Sequence, residues 1–212
     1  MAKLLKNSQQ QLRLEKFLII LLLLVPLALL GWQASREALG ANPVETLTHE
    51  TGVWALRILL LSLLLTPLRI LFKWRKPLLH RRLLGLMAFF YACLHLAIYL
   101  VFDQELDFTD TLTDIGKRPY ITVGFAAFLL LLPLAITSTT KMIKRLGIKR
   151  WAKLHQLVYV SAALVILHYL WLVKEDMTRP ILYGGILGLL LAVRAYDFFK
   201  RRRVSNSALK TL

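Results

Sequence analysis

The chain has 212 residues, of which 57% are hydrophobic and only 19% charged, with a mean hydropathy of +0.57 and a formal net charge of +16. A soluble domain sits nearer about 45–50% apolar and about 25% charged; the excess here falls into runs such as FLIILLLLVPLALLGW (17–32), which excludes an ordinary soluble enzyme and a disordered chain. The single cysteine, Cys93, excludes a disulfide framework and a thiolate metal cluster and reads as packing.

A helix needs about 20 mostly apolar residues to cross the hydrocarbon core. Six segments qualify, at 17–32, 52–72, 83–102, 119–136, 151–173 and 179–197, which predicts an all-α integral membrane protein, a six-transmembrane helix bundle. The first could be misread as a cleaved signal peptide, because its apolar run is short, a basic stretch precedes it and small residues stand at Gly40 and Ala41. A retained anchor is expected instead, with Trp32 at the interface. The connection 33–51 has room for a surface helix and little else. Pro26 and Pro133 fall inside spans, where neighbours must satisfy the carbonyls they free. The domain reading is a basic N-terminus (1–16), a six-span domain (17–197) and a basic tail (198–212). No segment is long enough for a soluble domain, and no Gly-rich nucleotide fingerprint is present.

Charge alternates between the connections. Of the 28 basic residues, 21 fall in 1–16, 69–82, 139–153 and the tail, while ten of the 12 acidic residues fall in 33–51, 103–114 and 175–176. The positive-inside rule then predicts both termini in the cytoplasm. Topology accounts for the +16, so no nucleic-acid partner is needed.

Five histidines are present. His49 and His80 fall in predicted loops and read as solvated interfacial residues. His95, His155 and His168 lie inside apolar spans, where an ionisable residue reads as functional by default, the other reading being packing glue between helices. Aligning the basic entries Arg82 and Lys153 puts His95 about 20 Å deep, His168 about 22 Å and His155 about 3 Å. The first two thus share a height. Two facing imidazoles can clamp a haem iron from both sides. Gly85, Ala88 and Ala92 share the His95 face, and this small-residue stripe either leaves a slot for a macrocycle or lets helices pack closely. His155 and His168 are 13 residues apart, too far to ligate one iron, and an ideal helix would turn them by about 140°. A second haem on the cytoplasmic side would have Arg82, not histidine, at the matching position, with Arg81 and His80 nearby as propionate partners or an unusual axial contact. Arg57 and Arg194 lie within spans two and six. Each either snorkels to the interface or meets a haem propionate or a quinone oxygen. Trp151, Trp171, Tyr120 and Tyr183 read as interface anchors, and Tyr169 with Trp171 as flanks of an outer haem.

These residues carry a resemblance. RRLLGL (81–86), LHLAIYL (94–100), KRPYITVG (117–124), LAITSTTKM (134–142), KRWAKLHQLVY (149–159) and LHYLW (167–171), in this order and spacing, resemble the haem-binding membrane subunits of bacterial periplasmic methionine-sulfoxide reductase systems, the MsrQ/YedZ family of the ferric-reductase-like transmembrane group. The resemblance runs from about Gly40 to Arg194. It implies a multi-pass protein of the bacterial inner membrane with haem b, one or two groups, ligated by His95, His168 and His155. It implies electron transport from the quinone pool, or from a cytoplasmic flavin reductase, to a periplasmic molybdenum-containing (MsrP-like) methionine-sulfoxide reductase that repairs oxidised proteins. The chain would then be an electron-transfer subunit rather than the catalytic one. Bound FMN also belongs to the family, although no residue of this sequence marks a flavin site. Ferric reductases and NADPH oxidases carry a flavin and nicotinamide domain that this chain lacks. A small six-span transporter, or a non-redox scaffold subunit, is the alternative; a transporter would be expected to show internal repeats and interrupted helices, and no clear repeat stands out in the sequence.

Overall fold

The computed structural model describes residues 2–173 and 176–209, with side chains for 9–173 and 176–202. Its helices are α1 (Ala2–Ser35), α2 (Pro43–Phe72), α3 (Arg81–Ile98), α4 (Phe108–Lys117), α5 (Pro119–Ile136), α6 (Thr140–Leu146), α7 (Ile148–Leu154), α8 (Leu157–Leu172) and α9 (Thr178–Leu209). Six stretches are long and apolar enough to cross a membrane: Gln9–Ser35, Pro43–Phe72, Lys76–Asp103, Pro119–Ile136, Ile148–Leu172 and Thr178–Arg202. The fold is therefore the six-helix membrane bundle that the apolar runs predict.

The second span begins at Pro43, nine residues before its expected start, and consumes the connection reserved for a surface helix. The cause is local chemistry. Asn42 caps the helix by accepting from the Glu45 N–H (3.2 Å), and Pro43 occupies the first turn, where its missing N–H costs nothing. Thr48 and Thr51 donate their hydroxyls back to the Val44 and Leu47 carbonyls (2.8 and 2.7 Å), so polar residues extend the helix without exposing unmet groups. His49, expected in a loop, consequently sits inside α2. The surface helix appears instead as α4, capped by Asp107, which accepts from the Thr109 and Asp110 N–H groups (2.7 and 3.0 Å). Its Phe108 and Leu112 are exposed, the pattern of a helix lying in a membrane interface.

Two antiparallel hairpins organise the bundle, α2 against α3 and α5 against α8, with α9 packed on α2 and α8. Phe89 of α3 stacks on Phe128 of α5 between the hairpins (5.5 Å between centroids). Gly85 and Ala88 face α2: Ala88 is buried, and a side chain at Gly85 would first meet Ser62 Oγ at 3.9 Å. Between the two readings of the small-residue stripe, close helix packing is the one observed for these residues. Tyr91, fully buried, donates its hydroxyl to the Leu23 carbonyl (2.6 Å) and so ties α1 to α3. Pro67 lacks the N–H that would pair with the Leu63 carbonyl four residues back. Arg194 of α9 supplies the missing donor through Nη2.

Candidate functional site

His95 and His168 come together. Their ring centroids lie 6.2 Å apart, with planes at 79°. Each ring is held by the partner helix of its own hairpin. His95 Nδ1 donates to the Thr48 carbonyl of α2 (2.8 Å), and His168 Nδ1 donates to the Tyr120 carbonyl of α5 (2.7 Å). A carbonyl only accepts, so the proton of each neutral ring resides on Nδ1 and the lone pair on Nε2. Neither Nε2 makes a hydrogen bond among the described residues.

One turn beyond each carbonyl stands a glycine. A Cβ at Gly52 would lie 2.9 Å from His95 Nδ1, and a Cβ at Gly124 would lie 2.7 Å from His168 Nδ1. Both glycines are therefore required by close approach of an imidazole. The two hairpins thus repeat one device: a carbonyl, a glycine four residues on, and a histidine 47 or 48 residues after the carbonyl. The sequence reading missed this repeat, and missed Thr48, Gly52 and Gly124. The available signal was a lone glycine in the outer part of each facing span, at nearly equal distance ahead of its histidine.

The pair suits a metal held between two imidazoles. Two metal–nitrogen bonds of about 2 Å each, added to the ring radii, separate the centroids by about 6 Å, as observed. Donation of the second ring nitrogen to a backbone carbonyl is the usual way a ligating histidine is oriented. No cluster of three or more His, Cys, Asp or Glu side chains suited to a bare metal ion occurs among the described residues. With only two protein ligands, a metal that brings its own equatorial ligands, as haem iron does, fits this donor set.

His155 lies elsewhere. The fifth span breaks there: α7 ends at Leu154, and α8 starts at Leu157. The turn between His155 and His168 is therefore not that of one ideal helix. The Thr137 hydroxyl gives its single proton to the Pro133 carbonyl (2.6 Å), so towards His155 it accepts, and His155 Nε2 donates to it at 3.2 Å. Trp151 lies against the His155 ring (4.1 Å) and donates Nε1–H to the Thr137 carbonyl (3.0 Å), which corrects its reading as a plain interface anchor.

The arginines also turn inward. Arg57 donates Nε–H to the Tyr183 hydroxyl (2.8 Å) and lies over the Trp54 ring (4.8 Å). Arg194 reaches the Tyr159 hydroxyl and the Leu63 carbonyl. Neither snorkels, and Tyr183 serves Arg57 rather than standing as a free anchor. Arg81 opens α3, its carbonyl accepting from Ser62 Oγ (3.3 Å). Arg82, the next residue, is exposed. His49 packs edge-on against Tyr169 (5.7 Å), and His80 pairs with Glu15 of α1 (3.2 Å); neither is a solvated loop residue. Three buried side-chain atoms have no hydrogen-bond partner among the described residues, Thr66 Oγ1, His80 Nδ1 and Arg194 Nε, and all belong to the end of the bundle where the basic segments lie. These orphaned groups fit a polar or anionic group bound at that end.

A family profile described as ferric reductase like transmembrane component matches residues 51–166. Three relatives share about half of their residues with this chain, each named protein-methionine-sulfoxide reductase heme-binding subunit MsrQ. The one from Herminiimonas arsenicoxydans is 49% identical over 202 residues, covering 94% of this chain and 93% of its own. That from Rhodospirillum rubrum is 51% identical, covering 90% and 92%. That from Xanthomonas oryzae pv. oryzae is 50% identical, covering 85% of each. With six apolar spans, two histidines meeting across repeated hairpins and this likeness along most of its length, the chain belongs to the MsrQ family of ferric-reductase-like transmembrane proteins.

Proposed function

We propose that the chain is a haem-binding electron carrier of the membrane, serving a methionine-sulfoxide reductase system. The observation that carries this is the His95–His168 pair, 6.2 Å apart, with both Nδ1 protons engaged by backbone carbonyls. Haem, when bound, supplies a one-electron centre whose potential follows its axial ligands, burial and nearby charge. The protein's part is to fix the tautomer and direction of each imidazole, and to keep water away. His95 and His168 would hold the haem at the acidic end. His155 would hold a second haem at the basic end. Arg194, Arg81 and Arg82 would balance the charge of its propionates there, and Arg57 would serve a propionate or a quinone oxygen nearer the acidic end.

The basic end faces the cytoplasm and the acidic end the periplasm of a bacterial inner membrane, as the charge asymmetry favours. Residues 17–197 form the haem-binding unit, with basic cytoplasmic segments on either side. Electrons come from quinol or a cytoplasmic flavin reductase, FMN being the flavin expected of the family, and go to a periplasmic molybdenum-containing partner of the MsrP kind. The chain does no bond chemistry on the oxidised methionine.

The test is an absorbance spectrum of the purified protein before and after dithionite, repeated on His95→Ala and His168→Ala. A red protein with dithionite-shifted bands, and loss of the same band in both variants, is expected. A colourless protein from haem-sufficient cells, or pigment that survives both substitutions, overturns the proposal in favour of a transporter or scaffold.

A further inference from the structure

At the basic end a cavity of about 740 Å³ opens between the C-terminus of α2, the turn that follows it and α9. Its volume lies within the roughly 300–1,000 Å³ of small-ligand sites. Four cations line it: Arg69, Lys73 and Arg75 from the end of α2 and the turn after it, and Arg201 from α9. The one carboxylate in the lining, Asp197, is engaged by Arg201 Nε at 2.9 Å. Cations at the end of α2 are favoured by the helix dipole alone, but that accounts for neither Arg75 nor Arg201, which come from the turn and from α9. Lys73 holds a left-handed conformation (φ 58°, ψ 18°), which costs a residue other than glycine some strain.

The rest of the lining is apolar: Ile70, Leu78 and Leu79. A site for a soluble anion gains nothing from such a wall, whereas an amphiphile needs both. Phe72 and Trp74 flank the cavity, exposed and packed on one another at 5.6 Å. Aromatic side chains so placed occupy the headgroup region of a bilayer, and basic pockets between spans at that depth hold lipid phosphates.

We propose that this cavity binds the phosphate of an anionic phospholipid from the leaflet at the basic end, with the acyl chains leaving along its apolar wall. The lipid ties the turn after α2 to α9 and neutralises Arg69, Lys73 and Arg75, which meet no carboxylate among the described residues. This assignment is independent of the haem reading.

Native mass spectrometry of the full-length detergent-solubilised protein tests it, with added phosphatidylglycerol, phosphatidylcholine or inorganic phosphate as probes. Phosphatidylglycerol should be retained at least about tenfold better than phosphatidylcholine. The double variant Arg69→Gln/Arg75→Gln should weaken its retention roughly 30-fold. Lys144→Gln/Arg145→Gln, which removes equal charge from another basic connection, should leave retention unchanged. Asp197→Asn should strengthen retention, because Arg201 is released to the ligand. This opposite sign keeps the proposal testable if the double arginine variant fails to fold, as judged by helical circular dichroism. Equal retention of the two lipids, equal loss in both double variants, weaker retention in Asp197→Asn, or displacement of the lipid by inorganic phosphate each overturns it.

Discussion

The two ends of the bundle treat histidine differently. At the acidic end, two hairpins present the same carbonyl, glycine and histidine, and the imidazoles meet with neither Nε2 hydrogen-bonded among the described residues. At the basic end, His155 packs on Trp151 and gives its Nε2 proton to Thr137. Counting 13 residues back from His95 reaches Arg82, not a second histidine. A histidine within an apolar run is thus one signal with two outcomes. What faces the ring decides whether its Nε2 is left open or is engaged by a hydroxyl of the protein itself.

The largest expected effect separates these ends directly. His95→Ala and His168→Ala should each remove over roughly nine-tenths of one shared absorbance band, since each takes away one of the two imidazoles that meet there. His155→Ala should leave that band in place. Equal losses in all three variants would dissolve the distinction between the ends.

The next prediction concerns the repeat itself. Gly52→Ala and Gly124→Ala both put a methyl within 3 Å of a ring nitrogen, so both should displace an imidazole, with an overpacking cost of about 1–3 kcal/mol read as a lowered melting temperature and reduced pigment. Gly85→Ala, with its nearest neighbour at 3.9 Å, should be tolerated. If Gly52 and Gly124 respond differently, the two hairpins are not equivalent.

A smaller effect is expected at the basic end. Thr137→Val removes the acceptor for His155 and should cost about 1 kcal/mol in a denaturation measurement, with the acidic-end band unchanged.

The smallest lies outside the membrane. Hydrogen bonds from Thr178, its side chain first and then its N–H (3.0 Å to Oδ1), hold the exposed Asp176 carboxyl below the usual aspartate range. A depressed folded-state pKa means that the cap's contribution is present above the unfolded value of about 3.9 and is lost as pH falls through the folded value. The protection factor of the Thr178 amide, its exchange rate corrected for the intrinsic pH dependence, should therefore hold down to about pH 4 and fall below it, and Asp176→Asn should remove that dependence.

The spans were legible because about 20 apolar residues in succession admit few other structures, and the shared height of His95 and His168 followed from helical rise alone. Three things were not legible. The start of α2 was hidden because its threonines look like a loop until their hydroxyls are seen bonding back to the helix. The carbonyls of Thr48 and Tyr120 were hidden because backbone groups carry no sequence signature. Arg57 and Arg194 were hidden because tyrosine partners on other spans, and a carbonyl freed by Pro67, give an intramembrane guanidinium an alternative to snorkelling. Family likeness supplied cofactor and partner expectations that no residue spacing contains.

Each imidazole is aimed by the helix beside it in its own hairpin, while the gap between the imidazoles depends on how the hairpins lean together, with Phe89 on Phe128 at their contact. Aim and separation are therefore set by different parts of the molecule. Substitutions along the seam between hairpins can retune the spacing without rotating either ring, whereas changes within a hairpin spoil one ring and leave its opposite untouched. A scaffold divided this way can drift in one property while the other is preserved.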